Sequence, residues 1–189
     1  MLVALAEALE SRDAYSGAHS LRVAALAGVV GERLGWDDAR LTRLRVGALL
    51  HDVGKLAVPK RILRKPGPLS PLELESIHYH PVAGARFVKA LAPGHATLAC
   101  ALYHHERWDG DGYPIGRSGG RIPAEARLLS VVDAFDAMTF GRPFRRPLTV
   151  EAALAEVDRC SGTQFDPVIV RAFVEACDAG DVDLRRRAS

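Results

Sequence analysis

The stretch Val46-Gly-Ala-Leu-Leu-His-Asp-Val-Gly-Lys55 places a histidine and an aspartate side by side at the end of an apolar helix. Neighbouring residues within a helix do not share a face, so His51 and Asp52 can serve one site only where the helix ends. Asp52 offers two carboxylate oxygens and can bridge two cations, whereas His51 can bind one. The stretch therefore predicts a metal site at a buried helix end, and with it a metal-dependent enzyme.

The sequence on either side of this stretch predicts further helices. Gly35 is expected to end the preceding helix, and Asp37 can cap the one that leads to His51. Residues 57–70 contain three prolines and predict a loop. Ser70-Pro71-Leu72-Glu73 then has the pattern of a capping box that opens a new helix.

Later helix starts are expected at Pro123, Thr149 and Asp166. Neither an internal repeat nor an alternating strand pattern of useful length is found in the sequence. The predicted fold class is all-α, in one domain over residues 1–189. Residues 1–11 are expected to form an N-terminal helix that packs on the core or acts as a linker or dimer helix, and residues 182–189 a solvated tail.

Composition excludes several classes of protein. The 189 residues are 48% hydrophobic and 25% charged, as in an ordinary globular domain, and the net charge of +2 gives no basis for binding a nucleic acid polymer. No apolar run approaches the ~18 residues that a membrane span needs, so no membrane insertion is expected. The three cysteines are widely spaced and indicate buried thiols in a reducing compartment. A cytoplasmic location is therefore predicted.

Other histidines and one carboxylate could complete a metal centre with His51 and Asp52. His19 lies at a predicted helix start, and the adjacent histidines 104 and 105 precede a glycine-rich loop. Asp133 lies on an otherwise apolar helix face, where an unpaired buried carboxylate would be costly and a metal ion would remove that cost. His78 and His95 have no convincing partners in the sequence and are expected to be structural.

Several segments together carry a resemblance to a known family. They are Tyr15-Ser-Gly-Ala-His-Ser-Leu-Arg-Val23, Leu50-His-Asp-Val-Gly-Lys55, Val58-Pro-Lys-Arg-Ile-Leu-Arg-Lys-Pro-Gly-Pro-Leu-Ser70, His80-Pro-Val-Ala-Gly84, His104-His-Glu-Arg-Trp-Asp-Gly-Asp-Gly-Tyr-Pro114, Val131-Val-Asp-Ala-Phe-Asp-Ala-Met-Thr139, Arg142-Pro-Phe-Arg145 and Ser161-Gly-Thr-Gln-Phe-Asp-Pro167. In this order they resemble the HD-GYP family, a branch of the HD phosphohydrolase superfamily. The resemblance covers nearly the whole chain.

The resemblance implies an HD-domain helical bundle with a metal site between helices. It also implies a metal-dependent phosphodiesterase that hydrolyses cyclic di-GMP to pGpG, or on to GMP, in bacterial signalling. Two divalent transition-metal ions are expected, iron or manganese before zinc, nickel or cobalt. The implied ligands of the first ion are His19, His51, Asp52 and Asp133, and those of the second are Asp52, His80, His104 and His105.

The resemblance also implies residues that contact the substrate. Lys55 would contact the scissile phosphate, and Arg142 and Arg145 would bind a phosphate or base of the nucleotide. The loop residues Gly112, Tyr113 and Pro114 would shape the entrance and contact partner proteins. Some family members bind a third ion through a glutamate, but the matching position here is Tyr15, so two ions are expected.

Two alternatives to a cyclic di-GMP phosphodiesterase remain open at this stage. One is an HD hydrolase of a related cyclic dinucleotide, and the other is a non-catalytic receptor or interaction module for such a ligand. The resemblance also implies partners: diguanylate cyclase (GGDEF) domains, an upstream sensory or receiver domain, and a second copy of the chain in a homodimer. An intact set of metal ligands favours the enzyme over a pure binding module.

Overall fold

Helices make up nearly all the regular structure that can be described. A computed structural model describes residues 19–91, 94–140 and 146–182. The helices are α1 (His19–Arg33), α2 (Asp38–Leu50), α3 (Lys60–Leu63), α4 (Pro71–His78), α5 (His80–Leu91), α6 (His95–Tyr103), α7 (Ala124–Thr139), α8 (Val150–Arg159) and α9 (Pro167–Asp178), with 3₁₀-helices at Val53–Ala57 and Gly119–Arg121. No strand occurs within these described ranges, where pairing is limited to an isolated bridge between Ser161 and Phe165. The predicted all-α class is confirmed.

The helix boundaries follow local sequence signals. The Asp37 carboxylate accepts a hydrogen bond from the backbone N–H of Arg40 at 2.7 Å and so caps α2. Ser70 and Glu73 form the predicted capping box at the start of α4. Gly35 follows α1 with a φ of 73°, a left-handed conformation that glycine adopts without steric cost.

One local prediction is partly wrong. The loop expected over residues 57–70 contains the short helix α3, which begins directly after Pro59. A proline that precedes a helix does not interrupt it, because its missing N–H would have no partner within the first turn. The expected N-terminal helix of residues 1–11 lies outside the described residues, and so does the expected tail except for Val182.

The main core forms around α7, against which α1, α6, α8 and α9 pack. Phe135 of α7 and Phe173 of α9 are fully buried, and their rings meet edge to face at 4.9 Å. A smaller cluster of Leu50, Val53, Val88 and Ala101 fixes the end of α2 against α5 and α6. Two of its members, Leu50 and Val53, flank His51 and Asp52 in the sequence, so this packing fixes the position of the pair relative to α5 and α6. Among the described helices, none combines the length and apolar content that crossing a bilayer requires.

Candidate metal centre

The first two ligand candidates lie where α2 ends. Leu50 is the last residue of the helix, His51 caps it, and Asp52 comes directly before the 3₁₀-helix Val53–Ala57. The change of helix type at this point lets both side chains face one space, as neighbouring residues inside a helix could not. Two candidate ligands therefore come from consecutive positions.

Gly54 allows α5 to approach this turn closely. A Cβ atom on Gly54 would lie 1.8 Å from the carbonyl oxygen of His80 and 2.5 Å from the backbone nitrogen of Gly84. Such contacts are impossible for any other residue, so glycine is required here by the close backbone approach. The approach brings Nε2 of His80 to 3.3 Å from Oδ1 of Asp52.

The remaining candidates come from three other helices. His104 caps the end of α6, and His105 follows it. Asp133 of α7 has Oδ1 at 3.2 Å from Nε2 of His19 and at 3.9 Å from Nε2 of His51. The seven predicted metal ligands are thus brought together between helices: His19, His51, Asp52, His80, His104, His105 and Asp133.

Asp52 belongs to two overlapping groups of possible ligands. One group is His19, His51 and Asp52, the other is Asp52, His80, His104 and His105, and in each the ligand atoms lie within 4.8 Å of one another. The two carboxylate oxygens divide between the groups. Oδ1 lies near Nε2 of His80, and Oδ2 lies 3.5 Å from Nε2 of His51. Asp52 is therefore the residue that the two groups of possible ligands share.

Backbone carbonyls fix the tautomers of three imidazoles. Nδ1 of His51, His80 and His104 lies 2.7, 2.6 and 2.8 Å from the carbonyl oxygens of Ala48, Ile77 and Cys100. A carbonyl only accepts, so each Nδ1 must carry the proton, and each neutral ring keeps a lone pair on Nε2.

In the neutral rings, those lone pairs point into the cluster. Nε2 of His80 and Nε2 of His104 face each other at 3.3 Å, and Nε2 of His51 is the one buried side-chain polar atom of the described residues that has no hydrogen-bond partner. Facing lone pairs repel, and an unpartnered buried nitrogen is costly. A cation at the centre would remove both penalties, so these residues fit a divalent metal ion.

The protonation states also suit a cation. Burial lowers the pKa of His104 well below its ordinary value and, together with His80, lowers the pKa of His105 to about 3. Burial alone would raise the pKa of Asp52 and Asp133. The positive charge of Lys55 outweighs it at Asp52, and the hydrogen bond from His19 outweighs it at Asp133, so both pKa values fall well below the ordinary range. Neutral imidazoles and ionised carboxylates are the forms that bind metal ions.

His19 is held between two carboxylates. Its Nδ1 lies 2.8 Å from Oδ2 of Asp136, while its Nε2 faces Asp133. Burial would lower the pKa of His19, but the hydrogen bonds with Asp133 and Asp136 raise it to about 10. An ion that binds Nε2 therefore replaces the proton between His19 and Asp133.

Lys55 lies at the edge of the cluster. Its Nζ is 2.7 Å from Oδ2 of Asp52, and its side chain keeps 30% of its surface exposed. The 3₁₀-helix sets this spacing, because residues three apart face the same side of such a helix. An ammonium group here can reach both the bridging carboxylate and an anion that enters from solvent.

A buried glutamate organises the loop that carries Gly112, Tyr113 and Pro114. Glu106 is 3% exposed, and its carboxylate accepts hydrogen bonds from the backbone N–H groups of Ile115, Gly116 and Arg117 at 2.8, 3.0 and 2.9 Å. A Cβ atom on Gly112 would lie 2.6 Å from the carbonyl oxygen of His105. The loop therefore folds back tightly onto the end of α6 that supplies two candidate ligands.

The sequence reasoning missed residues that contact the candidate ligands. Asp136 is fully buried, bonds His19, and accepts two further hydrogen bonds from Arg22, each of 2.9 Å. The spacing could have indicated it, because Asp136 follows Asp133 and Arg22 follows His19 by three residues, on the same helix face. His78, set aside as structural, stacks on Tyr113. Arg142, Arg145 and Tyr15 lie outside the described residues.

Comparison with known protein families identifies the family to which the chain belongs. The family model described as HD domain matches residues 4–169. The chain belongs to the HD domain family. The resemblance found in the sequence is thereby confirmed.

Curated relatives of this HD domain are named as phosphodiesterases. The cyclic di-GMP phosphodiesterase of Thermotoga maritima is 39% identical over 168 residues, which cover 88% of this chain and 46% of the relative. The cyclic di-GMP phosphodiesterase response regulator RpfG of Xanthomonas campestris pv. campestris is 39% identical over 172 residues, covering 90% and 46%. The chain therefore spans less than half the length of these relatives.

A solved structure supports the fold. The cyclic GMP-AMP specific phosphodiesterase of Vibrio cholerae superposes with a TM-score of 0.76 at 20% identity, covering 94% of this chain and 48% of that one. At this identity the likeness shows the HD-domain fold alone, and it agrees with the helical bundle described here.

Proposed function

We propose that this HD domain hydrolyses cyclic di-GMP with two divalent metal ions held by its seven-residue cluster. The observation that carries the proposal is the position of Asp52, whose two oxygens belong to two overlapping ligand groups. The first ion would be held by His19, His51, Asp52 and Asp133, the second by Asp52, His80, His104 and His105. Tyr15 in place of a glutamate supports two ions over three.

The ligand set indicates the kind of ion. Imidazole with carboxylate favours iron or manganese over magnesium, and zinc, nickel and cobalt are the alternatives. When bound, the ions supply Lewis acidity and lower the pKa of water toward neutral pH. Two divalent ions and two carboxylates leave net positive charge, which suits an anionic phosphodiester and the further charge of its transition state.

The residues of the chain then bind and orient the substrate. Lys55 would bind the scissile phosphate through its partly exposed side chain, while the Asp52 carboxylate, 2.7 Å from Nζ, holds the ammonium group in place. The sequence motif that contains Arg142 and Arg145 supports a role in binding a phosphate or base. Gly112, Tyr113 and Pro114 would border the entrance, since their loop folds onto the end of α6. The names of the curated relatives support cyclic di-GMP as the substrate. Hydrolysis of one of its two phosphodiester bonds would give pGpG, and a second hydrolysis would give GMP.

Partner binding is part of the same proposal. The relative from Xanthomonas is named a response regulator, which supports an upstream receiver or sensory domain in a longer protein. Diguanylate cyclase (GGDEF) domains would bind at the Gly-Tyr-Pro loop, and a second copy of the chain would form a homodimer. Size measurement with and without such a domain would test each of these partners.

Two other functions are alternatives. The name of the structural relative from Vibrio cholerae favours a second candidate substrate, cyclic GMP-AMP, at the same centre. A non-catalytic receptor for a cyclic dinucleotide is less favoured, because a binding module does not require the complete set of metal ligands.

Product analysis separates these functions. Protein loaded with manganese, or anaerobically with iron, would be incubated with cyclic di-GMP and with cyclic GMP-AMP, and linear products separated by chromatography. We expect pGpG from the wild type and a loss of more than about a hundredfold in Asp52→Ala, because a ligand to both ions matters at least as much as an outer-shell residue. Asp158→Ala, an exposed aspartate on α8, is the matched control.

The outcome can contradict the proposal in two ways. Faster turnover of cyclic GMP-AMP would favour the related substrate. If metal-loaded protein binds cyclic di-GMP without hydrolysing it, the non-catalytic receptor would be the favoured function. Circular dichroism would show that all variants keep the helical fold.

A further inference from the structure

His105 is oriented differently from the other four candidate imidazole ligands. His51, His80 and His104 each donate from Nδ1 to a backbone carbonyl, and His19 bonds through Nδ1 to Asp136. Within the described part of the chain, no hydrogen bond reaches either ring nitrogen of His105. An imidazole without such a bond can rotate about its side-chain torsions, unless another contact limits it.

The rings of His80 and His104 also contact His105, but these are candidate ligands of the same ion. The contact from outside the ligand set is an aromatic stack. The ring of Tyr113 lies against the ring of His105 with centroids 4.7 Å apart and an angle of 25° between the planes. Tyr113 also stacks on His78, the last residue of α4, at 4.0 Å and 21°. Offset stacking restricts a ring to a narrow range of orientations. Tyr113 therefore stacks on two histidine rings, those of His78 and His105, and limits the plane in which the His105 imidazole lies.

The backbone around Tyr113 is fixed to His105 itself. The N–H of Tyr113 donates to the carbonyl oxygen of His105 at 3.2 Å. Gly112 packs so closely that a Cβ atom there would lie 2.4 Å from the backbone nitrogen of Arg107. After Pro114, the Glu106 carboxylate accepts hydrogen bonds from the backbone N–H groups of residues 115–117. The tyrosine ring is thus carried on a rigid support, which a stacking contact needs if it is to orient its neighbour.

We propose that Tyr113 and His78 are positioning residues for the second metal ion, acting through the His105 ring. Stacking takes the place of the outer hydrogen bond that the other imidazoles have. The tyrosine of the Gly-Tyr-Pro loop then has a function in the metal centre, separate from any contact with substrate or partner. This inference rests on the metal centre of the proposed function and is independent of the substrate.

Metal binding, without turnover, provides the test. Manganese(II) is titrated into chelator-treated protein, and the two dissociation constants and the electron paramagnetic resonance signal of the exchange-coupled ion pair are measured. Tyr113→Leu removes the aromatic ring, Tyr113→Phe keeps it without the hydroxyl, and His78→Ala removes the second stacked ring. Ile115→Ala is the matched control, since that side chain is in the same loop and is 58% exposed.

We expect Tyr113→Leu to weaken the second ion about tenfold or more, as outer-shell changes do, with the first ion unaffected and the coupled signal lost at matched concentration. Tyr113→Phe should restore both the affinity and the signal. His78→Ala should weaken the second ion by about threefold, an intermediate loss, because it leaves one ring contact in place. Ile115→Ala should bind both ions as the wild type does.

Several results would overturn the inference. If Tyr113→Leu binds the second ion within about twofold of the wild type, stacking does not position His105. If Tyr113→Phe is as weak as Tyr113→Leu, the hydroxyl and not the ring is responsible. Should Tyr113→Leu fail to fold, His78→Ala decides alone, and unchanged affinity there contradicts the proposal. A wild type that binds no pair of ions removes the metal centre as well, so the two failures are distinguishable.

Discussion

Asp136 joins the candidate ligand His19 to Arg22 within the protein interior. The carboxylate is fully buried and accepts two hydrogen bonds from the Arg22 guanidinium, which also lies 3.5 Å from the ring centroid of Phe140. Burial would raise the pKa of Asp136, but the hydrogen bonds from His19 and Arg22 keep it below its ordinary value. The carboxylate therefore stays ionised and can hold His19 in one orientation.

Removal of this carboxylate should affect both stability and metal binding. Asp136→Ala leaves Arg22 without its buried partner, and we expect a loss of about 3 kcal/mol in the free energy of unfolding. The affinity for the first ion should fall by about tenfold to a hundredfold, because His19 loses its outer hydrogen bond. Urea denaturation and manganese titration measure the two effects.

An exposed ion pair supplies the control. Arg33 and Asp181 are 2.8 Å apart, but their side chains are 30% and 49% exposed, so Asp181→Ala should cost less than about 1 kcal/mol. If Asp136→Ala and Asp181→Ala lose the same free energy of unfolding, the buried hydrogen bonds of Asp136 stabilise the fold no more than an exposed ion pair does.

The candidate metal ligands could be identified from the sequence, whereas the residues that contact them could not. Every predicted metal ligand is a histidine or aspartate whose chemistry is visible in the sequence, and the structure brings all seven together. The roles of Asp136 and His78 depend on contacts with residues far away in the chain, such as Tyr113. No local pattern shows that contact, so the sequence alone could not assign those roles.

The buried carboxylate of Glu106 holds the Gly-Tyr-Pro loop through hydrogen bonds to its backbone. Glu106→Gln keeps the size of the side chain but removes the charge and replaces one accepting oxygen with a donor. We expect a loss of about 2 kcal/mol in unfolding free energy, since the hydrogen bonds lost are to a charged group. Hydrogen exchange should become faster at the amides of Ile115, Gly116 and Arg117.

The control for this loop is Asp111→Asn, because Asp111 is an exposed carboxylate in the same segment. Its exchange rates should match those of the wild type. If Glu106→Gln also exchanges at wild-type rates, then the loop does not depend on the buried charge.

The contact between the 3₁₀-helix and α5 depends on Gly54. Gly54→Ala forces its Cβ atom against the His80 carbonyl, and we expect a cost of about 3 kcal/mol, at the upper end for overpacking, because backbone and not a flexible side chain must move. His80 should shift, and the second ion should bind more weakly.

Gly120→Ala is the matched change, since nothing lies within 4 Å of a Cβ atom there. Its unfolding free energy should stay within about 0.5 kcal/mol of the wild type. Thermal and urea unfolding of both variants would check the difference, and a stable Gly54→Ala protein with normal metal affinity would contradict it.

Helix ends were more predictable than the contacts between helices. The cap at Asp37 and the capping box at Ser70 depend on residues within one turn, and both were found in the sequence. The short helix α3 was missed because prolines on either side of it suggested a loop. The meeting of α5 with the end of α2 depends on Gly54, whose significance is visible only in three dimensions.

The candidate metal centre lies where several helix ends converge, so metal binding should stabilise the entire fold. Ions that bind the folded chain and not the unfolded chain stabilise it by about 2.7 kcal/mol at a free concentration of a hundred dissociation constants. Treatment with a chelator should therefore lower the unfolding midpoint of the wild type. Asp52→Ala, which lacks the shared ligand, should show little change, and an unchanged wild-type midpoint would contradict a metal site in the core of the fold.

The central claim is that two ions in this cluster hydrolyse a cyclic dinucleotide. The most direct measurement is the rate of pGpG formation from cyclic di-GMP at a series of known ion contents, determined by elemental analysis of the same manganese-loaded or anaerobic iron-loaded samples. We predict that turnover is absent without metal and rises as the content increases from one ion to two ions per chain. Full turnover in metal-free protein, or intact cyclic di-GMP at two ions per chain, would contradict the account.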